Sequence, residues 1–372
     1  MTDLFPPTRE AALARLHDFT PSMGRIYAHG RNTDAGPDER QDVSMLSPYI
    51  RRRLITEAEV ARAAINAHGE AAEKFVHEVV WRSYHKGWLE QHPSAWTDYL
   101  SQVRHGENRL ATESGLRRVY HDACEGRTGI DGFDDWAREL VARGWLHNHA
   151  RMWFASIWIF TLRLPWALGA AFFMRHLLDG DPASNTLGWR WVAGLHTRGK
   201  HYVARADNIA RYTNGRFNPQ GQLDEAPEPL EERITHERIR LPEPGMMPVG
   251  PFVWLLHDED LSLHLPDAQE IAVFSLPQGA DPVQRFTSGA VADAVVRLGR
   301  PVMSLAPNQL ADWVKAQTLR SSPPGLPSGR WRHCWKTSKS PASARSGTAP
   351  SGRTPPAGSF KSRRSCRTCY RG

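Results

Sequence analysis

The chain has 372 residues, 40% of them hydrophobic, and a formal net charge of +7 at pH 7. That length holds one large domain and a smaller one. The charge is concentrated at one end: 11 Lys and Arg and no acid lie between Ser321 and Gly372, which leaves the first 320 residues at −4. The body can therefore meet nucleic acid only through a local basic patch, not through its overall field. Cys334, Cys366 and Cys369 also lie in the tail, with Cys124 alone before it. This excludes a disulfide framework and points to a reducing, cytoplasmic setting.

Asp3, Arg9 and Glu10 interrupt the amino terminus, so no secretory leader is expected. Residues 1–220 read as nearly all helix. Apolar residues recur at helical spacing in Val60–His68, Ala72–Tyr84 and Phe133–Arg143. The stretch VSMLSPY at Val43–Tyr49 has the form of a helix start, with Ser47 as cap and Pro48 in the first turn. Its exposed N–H groups, with Ser44 upstream, can hold phosphate oxygens; an ordinary capped helix accounts for the same residues. Glu78, Trp81 and Arg82 fall three and four residues apart on one helical face. They form either a structural ion pair or the wall of a pocket, where the indole stacks on a base and the carboxylate takes a hydrogen bond.

The segment Gly144–Trp191 is dense in Trp, yet it sets polar residues at helical intervals: Asn148, Arg151 and Met152, then Asp179, Asp181, Asn185 and Trp189. Burying such groups costs free energy unless something satisfies them, and a large planar polar cofactor would do so. A membrane span does not fit. The longest uncharged runs, Met152–Leu162 and Leu164–Met174, are 11 residues each, against the roughly 20 that a bilayer requires. Asp179 and Asp181, in a DGDP turn, suit a helix cap, and they can equally bind ribose hydroxyls or a ring N–H. A third hard ligand at metal-binding spacing is missing, so no metal is expected. Trp153 and Trp158 read as core. Trp189 follows Asn185 by one turn and lies beside whatever Asn185 touches.

Residues 221–248 hold five prolines and the charge run Glu231 to Arg240, and read as a linker. Residues 249–320 read as a small α/β unit: strands Phe252–Leu256 and Ile271–Phe274, then an amphipathic helix Pro282–Leu298. No glycine fingerprint or phosphate loop occurs there. Asp258, Glu259 and Asp260 can be ligands, but a solvated loop is the simpler reading. Residues 321–372 have no apolar periodicity and are expected to be disordered. The lone CxxC of Cys366 and Cys369 has no partner pair for a zinc site. The helical pattern Asn308–Leu319 breaks off at the start of this tail. A basic arm or a shifted reading frame would each account for that, and the shifted frame is the expectation. The fold class is mainly α, an all-helical domain followed by a small α/β unit and a basic tail.

The stretches VSMLSPYI, EVVWRSY, GRTG, GWLHNHARM and DGDPASNTLGWRW, in that order, resemble the FAD-binding helical domain of the DNA photolyase and cryptochrome family, from about Phe5 to Pro219. The resemblance implies FAD as cofactor and assigns roles. Tyr27, Ser44 and Leu46 would line the flavin's phosphate and sugar arm, with Arg82 close by. Arg151 would pair with Asp179 beside the isoalloxazine ring, Asp181 would accept from ring N3–H, and Asn185 would face N5. Glu78, Trp81, Asn148, Met152 and Trp191 would line a cavity for a flipped-out pyrimidine dimer; photolyases are a standard example of base flipping. Arg31, His149, Arg190 and Arg198 would meet backbone phosphates.

The implied chemistry is light-driven electron transfer from FAD to a cyclobutane dimer in damaged DNA, with Asn148 and Met152 at positions where relatives acting on (6-4) lesions carry two histidines. The alternative is a cryptochrome-like blue-light signalling flavoprotein whose partner is a protein, docked on the α/β unit. Trp189 and Trp166 match the inner members of the family's tryptophan relay, while the outer place falls on Ala123; Tyr120 or Trp153 would have to substitute. Phe75 stands where many relatives have Trp. The family's amino-terminal α/β domain has no counterpart before the helical part, so no antenna chromophore is expected.

Overall fold

The computed structural model describes residues 4–197, 199–232, 234–241, 252–262, 270–275, 279–299, 301–306 and 308–320. The helical part comprises α1 (Arg9–Phe19), α2 (Arg25–Gly30), α3 (Ser47–Arg51), α4 (Glu57–His68), α5 (Glu73–Gln91), α6 (Pro93–Thr112), α7 (Ser114–Glu125), α8 (Phe133–Arg143), α9 (Asn148–Ser156), α10 (Trp166–His176), α11 (Pro182–Ala193) and α12 (Ala206–Tyr212). The later part comprises β1 (Val253–His257), β2 (Glu270–Phe274), α13 (Asp281–Leu298), β3 (Met303–Leu305) and α14 (Leu310–Arg320). The expected tail, with its CxxC, lies outside the described residues.

Local rules explain the helices that matter. Phe133, Trp136, Ala137 and Leu140 of α8 are buried, an i, i+3, i+4, i+7 stripe. Asp134 and Asp135 sit in its first turn, where the helix dipole favours acids. Gly144, at φ 68°, ends it in the left-handed conformation that glycine adopts without a Cβ penalty. Thr56 and Glu59 close a reciprocal capping box at the start of α4. Between α9 and α10 the chain passes through a wider turn, Ile157–Thr161, and then Arg163 at φ 54°. Trp158 is fixed across this break by an indole N–H donated to the Pro165 carbonyl at 3.1 Å.

The three strands are parallel, in the order β1-β2-β3. β3 is too short to read from sequence, since three residues carry no alternation. The α/β unit has no core of its own on its inner face. Leu256, Val273, Val283, Phe286, Ala290 and Ala294 join one buried cluster with Phe5, Leu16, Tyr49 and Leu54 of the helical part. The Phe286 ring of α13 stands 6.0 Å from that of Tyr49 in α3. The Arg9 N–H donates to Asp293 at 3.2 Å, across 284 residues.

Within residues 221–248, expected to be a linker, residues 227–232 and 234–239 lie as a strap across the helices. Leu230 N–H donates to the Ala193 carbonyl and Ile239 N–H to that of Gln91. Glu232 takes both Nη groups of Arg190, at 2.9 and 2.5 Å. The strap forms because α11 buries Arg190, whose side chain is 2% exposed, and a buried guanidinium requires a partner.

Trp189, Trp158 and Phe173 pack around Gly169 of α10. Trp189 lies 6.2 Å from Trp158 and 5.1 Å from Phe173 by ring centroids. A methyl at Gly169 would meet Trp189 Cη2 at 2.3 Å. Gly169→Ala should therefore destabilise the protein, because overpacking against the fixed indole costs about 1–3 kcal/mol and outweighs the ~1 kcal/mol gained in helix propensity. Urea unfolding monitored by Trp fluorescence checks this, and wild-type stability would show that the rings yield freely.

Candidate functional site

The site assembles on α3, α5, α9 and the turn between α10 and α11. Met45 (φ 51°) and Arg53 (φ 55°) flank α3 in the left-handed region, a conformation non-glycine residues hold only where their surroundings enforce it. Ser44 Oγ accepts loosely from Leu46 N–H at 3.4 Å. Ser47 is not the cap the sequence indicated. It is the first helical residue, and Leu46 takes the cap position without a side-chain bond. Ser47 is drawn elsewhere: its hydroxyl accepts from the Trp145 indole at 3.0 Å and bonds Asp179.

Asp179 is the anchor. Arg151 grips it with both Nη groups, at 3.1 and 2.9 Å, and turns its Nε–H to the Leu146 carbonyl at 3.0 Å. Burial pushes the Asp179 carboxyl up, but the Arg151 charge and hydrogen bonds, with that of Ser47, outweigh it and hold the group below the usual carboxylate range. Asp181 caps α11, accepting from Ser184 N–H at 2.8 Å, with Pro182 as the first helical residue. Its other oxygen has Lys86 at 3.6 Å and Arg82 at 3.7 Å. Burial again opposes ionisation, and Lys86, Arg82 and Arg51 overcome it, holding Asp181 far below the ordinary value. Asn185, one turn on, donates its amide to the Ala170 carbonyl at 2.8 Å. A carbonyl only accepts, so the amide nitrogen is committed there and the amide oxygen is the end left over.

Beside Asp181, Arg82 Nη1, 3.7 Å from the carboxylate, and Ser184 Oγ are buried and make no hydrogen bond. Such groups are rare in folded proteins and call for a ligand or water. The donor set suits FAD: a caged carboxylate for a ring N–H, cations on α5, and a helix start for the diphosphate. Tyr27 is buried between Phe19 and Phe75, with ring centroids at 6.3 and 5.0 Å. Phe75, which stands where many relatives have Trp, is itself buried in this ring cluster.

The rim is more open. Trp81 is 47% and Trp191 40% exposed, although Trp is highly buried on average. Trp81 stacks on His85 at 5.7 Å and Trp191 on Tyr202 at 5.6 Å. Asn148 is exposed and Met152 half-buried. Glu78 is bonded to Arg31. The positions expected to meet backbone phosphates fare unequally. Arg31 shares its charge with Glu78. His149 is stacked on Trp153 at 4.3 Å and bonded to the Asn32 carbonyl, and burial lowers its pKa, so it offers no charge to a phosphate. Arg190 is buried under the strap, and Arg198 lies outside the described residues.

Lys86, His85 and Arg51 were not singled out from sequence, and Ser47 only as a helix cap. Lys86 follows Arg82 by four residues on α5 and so shares its face; that spacing was the available signal. Arg51 carried no such signal, because its partners are 129 and 208 residues away. Trp189 and Trp166 are both buried. Ala123, at the outer relay place, is fully buried. From Trp189, ring contacts run to Trp158 and on to Tyr120 at 5.8 Å, whereas Trp153 packs against Trp136 at 5.4 Å and His149.

Residues 75–225 match the family described as the FAD-binding domain of DNA photolyase. A deoxyribodipyrimidine photo-lyase from Streptomyces griseus is 34% identical over 196 residues, covering 49% of this chain and 41% of that protein. One from Thermus thermophilus is 33% identical over 222 residues, covering 58% and 49%. The crystal structure of a class III photolyase from Agrobacterium tumefaciens aligns with 57% of this chain and 44% of its own at 28% identity, with a TM-score of 0.47. The chain spans less than half the length of these relatives. Over residues 75–225 the chain is thus similar to the FAD-binding domain of the DNA photolyase family, a domain whose cofactor is FAD.

Proposed function

We propose that this protein is a photolyase-type flavoenzyme that uses light to transfer an electron from FAD to cyclobutane pyrimidine dimers in DNA. One observation carries the reading. Asp181 is a buried carboxylate with one oxygen on a backbone N–H, while its other oxygen has Arg82 Nη1 at 3.7 Å, within ion-pair reach but too far for a hydrogen bond. That edge suits a ring imide flanked by an acceptor. On the same face of α5, Glu78 and Trp81 open to the surface, where a flipped base can stack and be held. When bound, reduced FAD would supply the light-absorbing electron donor for opening the cyclobutane ring.

The protein's own residues hold and orient. Arg151 and Asp179 form a rigid, charge-neutral floor. Lys86, Arg82 and Arg51 keep Asp181 ionised, so it can only accept. Asn185 offers an amide oxygen, which accepts from a protonated N5 and offers nothing to a bare one. Trp81 and Trp191 supply faces for the lesion, and Arg31 would swing from Glu78 to a DNA phosphate as Glu78 turns to the base.

The second reading, a blue-light signalling flavoprotein without repair, is favoured by Ala123 at the outer relay place and by the paired state of Glu78. An absorption spectrum of the purified protein, followed by blue light on a dimer-containing oligonucleotide with chemical reductant, separates them. Loss of dimers supports repair; bound flavin with dimers intact supports signalling; a colourless, folded protein that takes up no FAD defeats both.

Asp179→Ala leaves the Arg151 guanidinium without its partner in an interior site, at a cost of about 3 kcal/mol, the low end for a broken buried pair because Arg151 keeps some solvent contact. Flavin should be lost on gel filtration, and normally yellow protein would contradict the placement. Both Asp179 and Asp181 have depressed folded pKa values, so their stabilisation is complete above the unfolded carboxylate value of about 4. It disappears as pH falls through the lower folded values. Flavin retention should be flat from about pH 7 to 5 and fall below about 4, measured by bound-flavin absorbance. Trp81→Ala should weaken binding to dimer-containing DNA by about 1–3 kcal/mol, the worth of one base stack, in a filter-binding titration; unchanged affinity would argue against a lesion cavity at this face.

A further inference from the structure

Asp258, Glu259 and Asp260, which read from sequence as a solvated loop, are instead paired with three consecutive arginines at the end of α3, Glu259 reaching Arg52 at 3.4 Å besides its main partner Arg51. Arg51 donates through both Nη groups to Glu259, each at 2.5 Å. Arg52 Nη1 donates to Asp258 at 2.8 Å. Arg53 Nε donates to Asp260 at 2.9 Å, and its Nη1 to Glu57 at 2.7 Å. The backbone joins in, with Leu261 N–H donating to the Arg52 carbonyl at 3.0 Å. The Arg51 and Arg52 side chains are only 4% and 9% exposed. Three adjacent like charges repel, and burying them is costly without matched partners. The clasp supplies those partners from the α/β unit, and it also holds Arg53 in its left-handed backbone.

Arg51 has a third contact that the other two lack. Its Nε–H donates to the Gly180 carbonyl at 2.6 Å. Gly180 is the residue between Asp179 and Asp181. The guanidinium is planar, so a bidentate partner on its outer fork fixes the direction of its Nε–H. Glu259 therefore sets where Arg51 points, and Arg51 in turn fixes the turn that carries both carboxylates of the flavin site.

We propose that Glu259 is a positioning residue for the flavin site, acting through Arg51 and the Gly180 carbonyl on Asp181. This rests on the flavin-site reading above.

The test uses the full chain and FAD itself, with affinity read from flavin fluorescence quenching. Glu259→Gln should raise the FAD Kd about tenfold, within the usual range of intersite coupling. It should also blur the vibronic structure of the bound flavin's visible band, because Asp181 no longer holds one orientation. Asp260→Asn cuts the same clasp at Arg53, which keeps Glu57, and should leave Kd and band shape unchanged. Thermal melts of both variants without FAD report the purely structural cost. Arg51→Lys keeps a cation opposite Glu259 but loses the planar fork, and should raise Kd as Glu259→Gln does; it decides the matter if Glu259→Gln does not fold. Wild-type affinity in Glu259→Gln or Arg51→Lys overturns the proposal, as does an equal loss in Asp260→Asn, which would mean that the clasp merely holds the fold together. If the wild-type chain binds no FAD, the flavin-site reading itself falls, and this inference with it.

Discussion

Two carboxylates placed one residue apart in a dry interior are the constraint around which this site is organised. Asp179 and Asp181 face away from solvent, and neither stays charged there without help. The neighbouring elements can be read as the means of neutralising them. α9 contributes Arg151, α5 contributes Arg82 and Lys86, α3 contributes Ser47 and Arg51, and the start of α11 contributes backbone N–H groups. Because four elements converge on one turn, the site is rigid before any ligand arrives, which is what binding a large planar molecule with little ordering cost requires.

What could be read from the sequence was mostly local in origin. The helical character of 1–220, the Asp181 cap, the shared face of Glu78, Trp81 and Arg82, and the core roles of Trp153 and Trp158 all follow from spacing along one helix. The Arg151–Asp179 pair came from resemblance, since nothing in composition joins residues 28 apart across a chain reversal. The misreadings have a common cause. Ser47 looked like a cap because its neighbours fit the cap pattern, but a distant indole and carboxylate claimed its hydroxyl. Asp258–Asp260 looked solvated because acids after a strand usually are, but a run of arginines some 206 residues earlier lay opposite. The linker looked loose because of its prolines, but Arg190 needed a counter-charge. In each case a long-range electrostatic demand overrode a short-range preference, and charge matching across such separations leaves no periodic trace.

The strap and the clasp are alike. Each brings an acid from outside the main helical body onto an arginine buried within it, Glu232 onto Arg190 and Glu259 onto Arg51. Buried pairs of this type add little net stability over apolar packing, but they fix register strongly, because a misplaced partner leaves a naked charge. The outer segments are therefore seated in one arrangement rather than several.

The shared core of the first and last elements has a consequence for how the chain is made. Phe5, Leu16 and Tyr49 bury against Phe286 and Ala290, and Arg9 bonds Asp293 across 284 residues. On a ribosome the amino-terminal helix emerges early but finds its packing surface only when α13 has cleared the exit tunnel. Until then its apolar stripe has no permanent cover, and contacts of such high sequence separation close slowly. Nascent chains of this protein should therefore depend on holdase protection through most of synthesis, with the amino-terminal third settling last although it is made first.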